Sequence, residues 1–489
     1  MLKTNLNLKQ HLLTTLALLI LYILSACSNY PNVDYLPYQE VVVPTAIVNV
    51  NVLSEDGESM LPNRTIFLVD GKISIITKDE VIPQGIKVID GSGKYVIPGL
   101  VESHAHLKDS PNDLLVFIAH GVTYIREMSG NSKHITWRDE ITQGRLGPKI
   151  YVASKKVESR AGISGKIESM VRNRLNISTK AQANDLVDKL VKEGYQSVKV
   201  SSYLDKPMYL AITHAATDKG LVVAGHIPPS ITLDEFLATS HKEVAHIEEF
   251  TKLLTNDFGG YNSDNTKEYL QFVRKRSDDI ARKLKENGIA VGTTLWYTES
   301  LPQQALKLQS LINTLDLSYG DPSLVAEWMP SENYFEAMTD ASNPEYNENL
   351  GVYYEAYAEA VRIMLNAFVK HEVIILAGTD TNLSLVIPGI SIHHELQSLV
   401  NSGMSNAQAL RYATLVPGKW MNVKVGKIAE GYDADLVILN ANPLHDITNT
   451  QKIDTVILAG KILDKQKIKS ILQSIRNAYN TNVVSNRGG

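Results

Sequence analysis

Between residues 95 and 380 the chain alternates short apolar segments with amphipathic helical stretches, and it does so eight times. The strand-like segments are 95–103, 122–128, 149–154, 197–203, 221–227, 243–248, 289–296 and 373–380. Helical patterns lie between most of them, as at 181–193, 208–219, 278–287 and 355–371. Several of these run into Glu193-Gly194, Lys219-Gly220 and Asn287-Gly288, the expected C-terminal punctuation. A strand that feeds a helix buries both apolar faces when the next strand lies parallel beside it, joined by a right-handed crossover. Eight such units predict an α/β chain closed into a (β/α)8 TIM barrel. The stretch 254–345, rich in Asn, Asp, Ser and Tyr, breaks the rhythm, and its unpatterned parts read as loops over the barrel mouth.

The flanks have a different texture. The β-like runs 46–52, 64–69, 72–76 and 86–89 are separated by Asp56-Gly57, Asp70-Gly71 and Asp90-Gly91. Asp-Gly between apolar runs is a strong turn signal. Runs 431–439 and 454–463 look similar near the other end. Two β-rich flanks around a long middle predict a small β-sandwich domain completed by both ends of the chain. Its parts are 45–96 and 418–470, with the barrel at 97–417 and a C-terminal tail at 471–489.

The chain opens with Lys3 and Lys9, an apolar run over 12–24, then Leu24-Ser25-Ala26-Cys27. A positive start, a short apolar centre and small residues describe a secretory signal over 1–26 rather than a spanning helix. The ending resembles the bacterial lipoprotein processing box. That implies a lipid on Cys27, a tether over 27–44 and attachment in the cell envelope, with Ser28 favouring the outer membrane, facing the periplasm. Cys27 is the only cysteine in 489 residues, so no intrachain disulfide can form. A net charge of −5 with no basic block argues against a nucleic-acid partner. Whether the chain forms a homo-oligomer is left open.

Barrel chemistry sits at the C-terminal ends of the strands. The first strand ends in His104 and His106, which point the same way in an extended chain because they are two residues apart. The fourth carries Lys199, the fifth ends in His226, the sixth holds His246, and the eighth ends in Asp380. Neutral imidazoles suit a divalent cation such as Zn²⁺, with Mn²⁺ or Fe²⁺ as alternatives, and a bound water can ionise near neutral pH. Two such cations need an anionic bridge. A lysine cannot ligate as an ammonium, but carbamylated by CO2 it becomes a bidentate anion. An aspartate can hold a metal and the attacking water together, then pass the proton to the leaving group.

These motifs resemble the amidohydrolase superfamily, in particular its imidazolonepropionase-like and prolidase-like exported members. The residues that carry the resemblance are Pro98-Gly-Leu-Val-Glu-Ser-His-Ala-His106, Val198-Lys-Val200, Val222-Val-Ala-Gly-His226, Val244-Ala-His246 and Ala377-Gly-Thr-Asp380. The stretches 406–414 and 426–437 add the closing pattern. The resemblance implies that His104, His106 and Asp380 hold one metal and His226 and His246 the other. Carbamylated Lys199 would bridge them, and Asp380 would shuttle the proton. If Lys199 is unmodified, a single metal is expected. Tyr203, Arg126, Tyr297 and Glu248 follow or end strands and are candidates to orient substrate, as is His393 from the following helix. The loop 158–166 departs from the Gly- and His-rich loop that relatives often carry, which puts the substrate in question.

The expected function is metal-dependent hydrolysis of a carbon–nitrogen bond in a non-peptide or cyclic amide, by a metal-bound hydroxide with Asp380 as proton shuttle. The alternative within that class is a metallo-dipeptidase acting on Xaa-Pro or Xaa-basic peptides. The alternative outside it is a catalytically silent lipoprotein that uses the barrel for binding. Silent relatives normally lose ligands, whereas here all the candidate positions are filled.

Overall fold

The protein is described by a computed structural model over residues 32–33, 42–78, 81–108 and 110–485, with side chains to residue 480. The signal segment, Cys27 and most of the tether lie outside the described residues.

Strand one of the barrel, Leu100–Ala105, pairs in parallel with strand two, Val122–Glu127, which pairs with strand three, Lys149–Val152. Strands four to eight are Ser197–Val200, Val222–Gly225, His241–Val244, Ala290–Gly292 and Ile374–Leu376, parallel neighbours in that order. The two arcs meet at both seams. Ala153 bridges Ser197 in parallel, and the Ser103 amide donates to Ala377 O at 3.0 Å. Eight parallel strands thus follow one another in chain order, as expected of the (β/α)8 fold. Strands one and two are buried at every position, because in such a barrel helices cover the outer face and side chains fill the inner one.

Part of that filling is charged. Arg126, from strand two, is fully buried and bonds Glu243 of strand six through Nη1 at 2.9 Å and also through Nη2. Its guanidinium lies over the rings of Tyr151 and Trp420, at 5.1 and 4.6 Å from their centroids. The substrate-orienting role expected for Arg126 therefore meets a correction. Its side chain is committed to an ion pair in the barrel interior, because on a strand buried on both faces it points inward.

Both ends of the chain build one β-rich domain, as expected, but its strands form a single continuous sheet. The order is Lys461–Leu463, Ile453–Leu458, Leu436–Leu439, Tyr95–Pro98, Thr45–Leu53, Met60–Val69, Lys72–Thr77, with Lys87–Asp90 also paired to Thr45–Leu53. A bulge explains how one strand serves two parallel neighbours. Asn49 has φ 57°, and across it the strand pairs first with Lys87–Asp90 and then with Tyr95 and Val96. The segment expected as one strand over 95–103 divides at Gly99. Tyr95–Pro98 stays in this sheet, while Leu100–Ala105 enters the barrel.

Two further differences are helical. The stretch 254–345 is largely helix, including Thr266–Glu286 and Leu295–Leu306. Thr266–Glu286 buries Tyr269, Val273, Ile280 and Leu284 at helical spacing against the long helix Pro344–Lys370. The tail expected over 471–489 is mostly the helix Lys465–Ser485, which packs against the helix Asn112–Ala119 with Ile468, Ile471 and Ile475 buried.

Candidate metal centre

The strand ends bring the six predicted donors into one buried cluster. His104 Nε2 lies 2.8 Å from Lys199 Nζ and 3.6 Å from Asp380 Oδ1. His106 Nε2 lies 3.0 Å from the same Asp380 oxygen, and His246 Nε2 lies 3.5 Å from Asp380 Oδ2. The rings of His104 and His246 stack at 4.5 Å, and that of His226 sits 5.3 Å from His246. One ligand atom from each of His104, His106 and Asp380 falls within 4.8 Å of the others.

Backbone geometry makes this approach possible. Gly225, just before His226, has φ +127°, and a Cβ there would stand 2.3 Å from Val200 O. A Cβ on Gly378 would stand 2.8 Å from His104 Cβ, so the turn that carries Asp380 can press against strand one only as glycine. Asp380 itself is held at φ 57° with its amide donating to His104 O at 2.9 Å. A non-glycine residue in the left-handed region costs energy that the surrounding structure must hold in place.

Burial sets the charge states. It holds His104 well below the ordinary imidazole range, helped by Lys199 alongside, and acts likewise on His246. Burial also brings His226 down to about 4, against the pull of Glu249. These rings are neutral and offer lone pairs. Burial, and next the charge of Lys156, drives the Lys199 ammonium well below its usual range. For Asp380 burial would raise the carboxyl, yet the polar N–H edges of the imidazoles around it, His106 nearest at 3.0 Å, favour the anion and hold it below the usual carboxylate range.

A second layer escaped sequence reasoning. Glu249 accepts from His226 Nδ1 at 3.1 Å, from the Ile227 amide at 3.1 Å and from Lys252 Nζ at 2.7 Å. Glu102 accepts from the His104 amide at 2.8 Å and the Thr379 amide at 2.9 Å, tying strand one to the turn before Asp380. Glu127, at the end of strand two, accepts from the Leu107 and Ser129 amides and stands 3.8 Å from His106 Nδ1. The visible signal was only acids beside predicted ligands.

The other candidates scatter. Tyr297 is half-buried with its ring 6.4 Å from that of Phe335, and its hydroxyl is raised by burial and then by the Asp380 and Glu248 charges. Glu248 lies by Thr294 Oγ1 at 3.4 Å, with burial lifting its carboxyl to about 7. Tyr203 is 53% exposed under the guanidinium of Arg160 at 4.4 Å, so it lies outside the buried cluster. His393 is buried between Thr450 Oγ1 at 2.9 Å and His120 O at 3.1 Å. That corrects its expected reach to the mouth, because its helix turns this face toward the terminal domain.

The arrangement fits a cation better than a hydrogen-bond network. Asp380 Oδ1 faces two imidazole nitrogens, yet no well-directed hydrogen bond satisfies it. Converging lone pairs from neutral rings and a carboxylate are what a divalent metal takes.

The profile described as the amidohydrolase family matches residues 95–463. A 5-methylthioadenosine/S-adenosylhomocysteine deaminase from Aquifex aeolicus is 30% identical over 126 residues, 22% of this chain and 29% of that protein. The match thus spans less than a third of that curated relative's length. An imidazolonepropionase from Thermoplasma acidophilum is 22% identical over 419 residues, covering 82% of this chain and 89% of the relative. A solved structure of a Xaa-Pro dipeptidase with bound methionine in the active site superimposes with a TM-score of 0.60 at 18% identity, covering 86% of this chain and 100% of that one.

Proposed function

This chain belongs to the amidohydrolase family, and on that premise we propose that it is a metal-dependent hydrolase of carbon–nitrogen bonds acting on a small amide. The observation that carries the reading is the meeting of His104, His106 and Asp380 within 4.8 Å, beside His226, His246 and Lys199. His104, His106 and Asp380 would hold one divalent cation, and His226 and His246 a second. A metal such as Zn²⁺ in this position polarises a carbonyl and lowers the pKa of water.

The chain's own groups supply the rest. Asp380, kept ionised, accepts a proton at its carboxylate from the attacking water and returns it to the departing nitrogen. Glu249 fixes the ring orientation of His226 from behind. Burial disfavours the ammonium form of Lys199 and so favours the free amine, the form that attacks CO2. Its nitrogen forms a bond to carbon and loses a proton, and the resulting carbamate anion would bridge two cations. An unmodified Lys199 goes with one cation.

The dipeptidase reading stays beside the small-amide one because a Xaa-Pro dipeptidase shares the fold over 86% of this chain. Export as an envelope lipoprotein anchored through Cys27 is part of the proposal, and it fits scavenging of external substrates. The test is a screen of metal-loaded protein against dipeptide and cyclic-amide libraries, repeated after chelation and with Asp380→Asn. Turnover that disappears on chelation and in Asp380→Asn supports the reading. Turnover that survives both rejects it.

A further inference from the structure

From His106 the mouth opens into a cavity of about 360 Å³ that also touches Lys108, Lys156, Arg172 and Arg174. Among the described lining residues Asp321 is the one carboxylate, and it accepts from the Ser323 amide at 2.9 Å and the Ser323 hydroxyl at 2.6 Å. Arg172 is paired with Glu168 at 3.1 Å. Lys156 and Arg174 differ: both are half-buried, and among the described residues neither side chain makes a hydrogen bond or ion pair. Glu158, whose charge Arg174 feels, stands 3.4 Å from Arg160 Nε instead.

A partly buried cation with no directly bonded counter-charge is unfavourable, and at Lys156 burial outweighs the more distant Asp380 and Glu249 charges. It is more so beside a centre that gathers divalent cations. Lys156 lines the same cavity as His106, so its ammonium shares one space with the donor cluster. Arg174 comes from the other side of the same loop excursion after strand three. This is the region where the sequence departs from the usual Gly- and His-rich loop. A guanidinium fork and an ammonium lining one cavity make a receptor for an oxyanion.

The geometry points to a substrate that carries an oxyanion, a carboxylate or a phosphate, seated between Lys156 and Arg174 with its scissile amide on the His106 side of the cavity. This inference rests on the amide-hydrolase reading for the second half of that statement only. The anion seat itself is a property of the cavity.

The test titrates glutarate and inorganic phosphate calorimetrically into wild-type, Lys156→Met and Arg174→Gln proteins of matched metal content. One anion is expected to bind the wild type and to weaken about tenfold in each variant, the loss of one charged hydrogen bond. Which anion does so separates carboxylate from phosphate. Equal binding to all three proteins, or binding to none, overturns the inference. A second arm compares amide substrates bearing a free acid with their carboxamide counterparts. The acid is expected to lead by about tenfold in kcat/KM, a lead that collapses in both variants. A lead that survives both substitutions overturns the inference. Anion binding that behaves as expected in a protein that hydrolyses neither series would keep the seat and reject the hydrolase reading.

Discussion

Glu249 Oε1 accepts from His226 Nδ1 at 3.1 Å while its other oxygen accepts the Ile227 amide at 3.1 Å, so one carboxylate fixes both the ring and the backbone of the same ligand. With Nδ1 protonated toward Glu249, the Nε2 lone pair is free for a cation. Glu249→Gln keeps the size of the group and removes its charge. We expect metal affinity or activity to fall about 10- to 100-fold with the fold intact. Metal content after dialysis against graded chelator, with circular dichroism as the control, reads the effect. Unchanged affinity and activity would show that the ring needs no such support.

The pair Arg126–Glu243 makes a different claim, since both groups are fully buried within the barrel. Breaking a buried pair strands a charge, while replacing both partners by apolar groups is often neutral. Arg126→Met is expected to cost about 3–5 kcal/mol in urea unfolding, and Arg126→Met with Glu243→Leu to recover most of it. KM of the folded fraction should stay within about threefold of wild type, because a substrate-orienting arginine would instead weaken binding. A raised KM with unchanged stability would return Arg126 to the substrate.

How far the sequence could be read depends on which level each feature belongs to. The ligands sit where alternation along a strand and the β-α rhythm put them, so His104, His106 and Asp380 were visible as strand-end residues. Arg126 lies on a strand as well, but being near a strand end does not tell an inward core position from a mouth position. Glu248 was singled out and Glu249 passed over. Only the turn into the helix Glu248–Phe258 decides which of two adjacent acids faces His226. The helix Thr266–Glu286 was legible only over its C-terminal part, 278–287, because the buried positions before it are diluted by Lys, Arg and Asp on the outer face. The bulge at Asn49, which turns two expected sheets into one, is a backbone event without a strong residue signature.

The anchor reading lends itself to a direct experiment. Expressed in a diderm bacterium with labelled palmitate, the full-length chain should take up label and sediment with membranes. Cys27→Ser should abolish the label and release the protein from the membrane fraction. Label retained in Cys27→Ser would reject lipidation at that residue.

Asp113 gives the fold its own pH dependence. It is buried, accepts from Asn382 Nδ2 at 2.9 Å, and burial lifts its carboxyl to about 7, with Asp321 adding to the rise. The folded state therefore holds a proton that the unfolded chain, near 3.8, has already released. The stability this contributes is whole below about pH 3.8 and is lost as pH climbs toward 7. Asp113→Asn stays neutral throughout, so its stability relative to wild type should rise with pH. Between roughly pH 5.5 and pH 8 the gain should reach about 2 kcal/mol at most. Urea unfolding of both proteins at the two pH values measures the difference directly, and because every other titrating group is shared, it cancels. A gain that is flat with pH, or that shrinks as pH rises, would mean Asp113 is ionised in the folded protein and held by Asn382 as an anion.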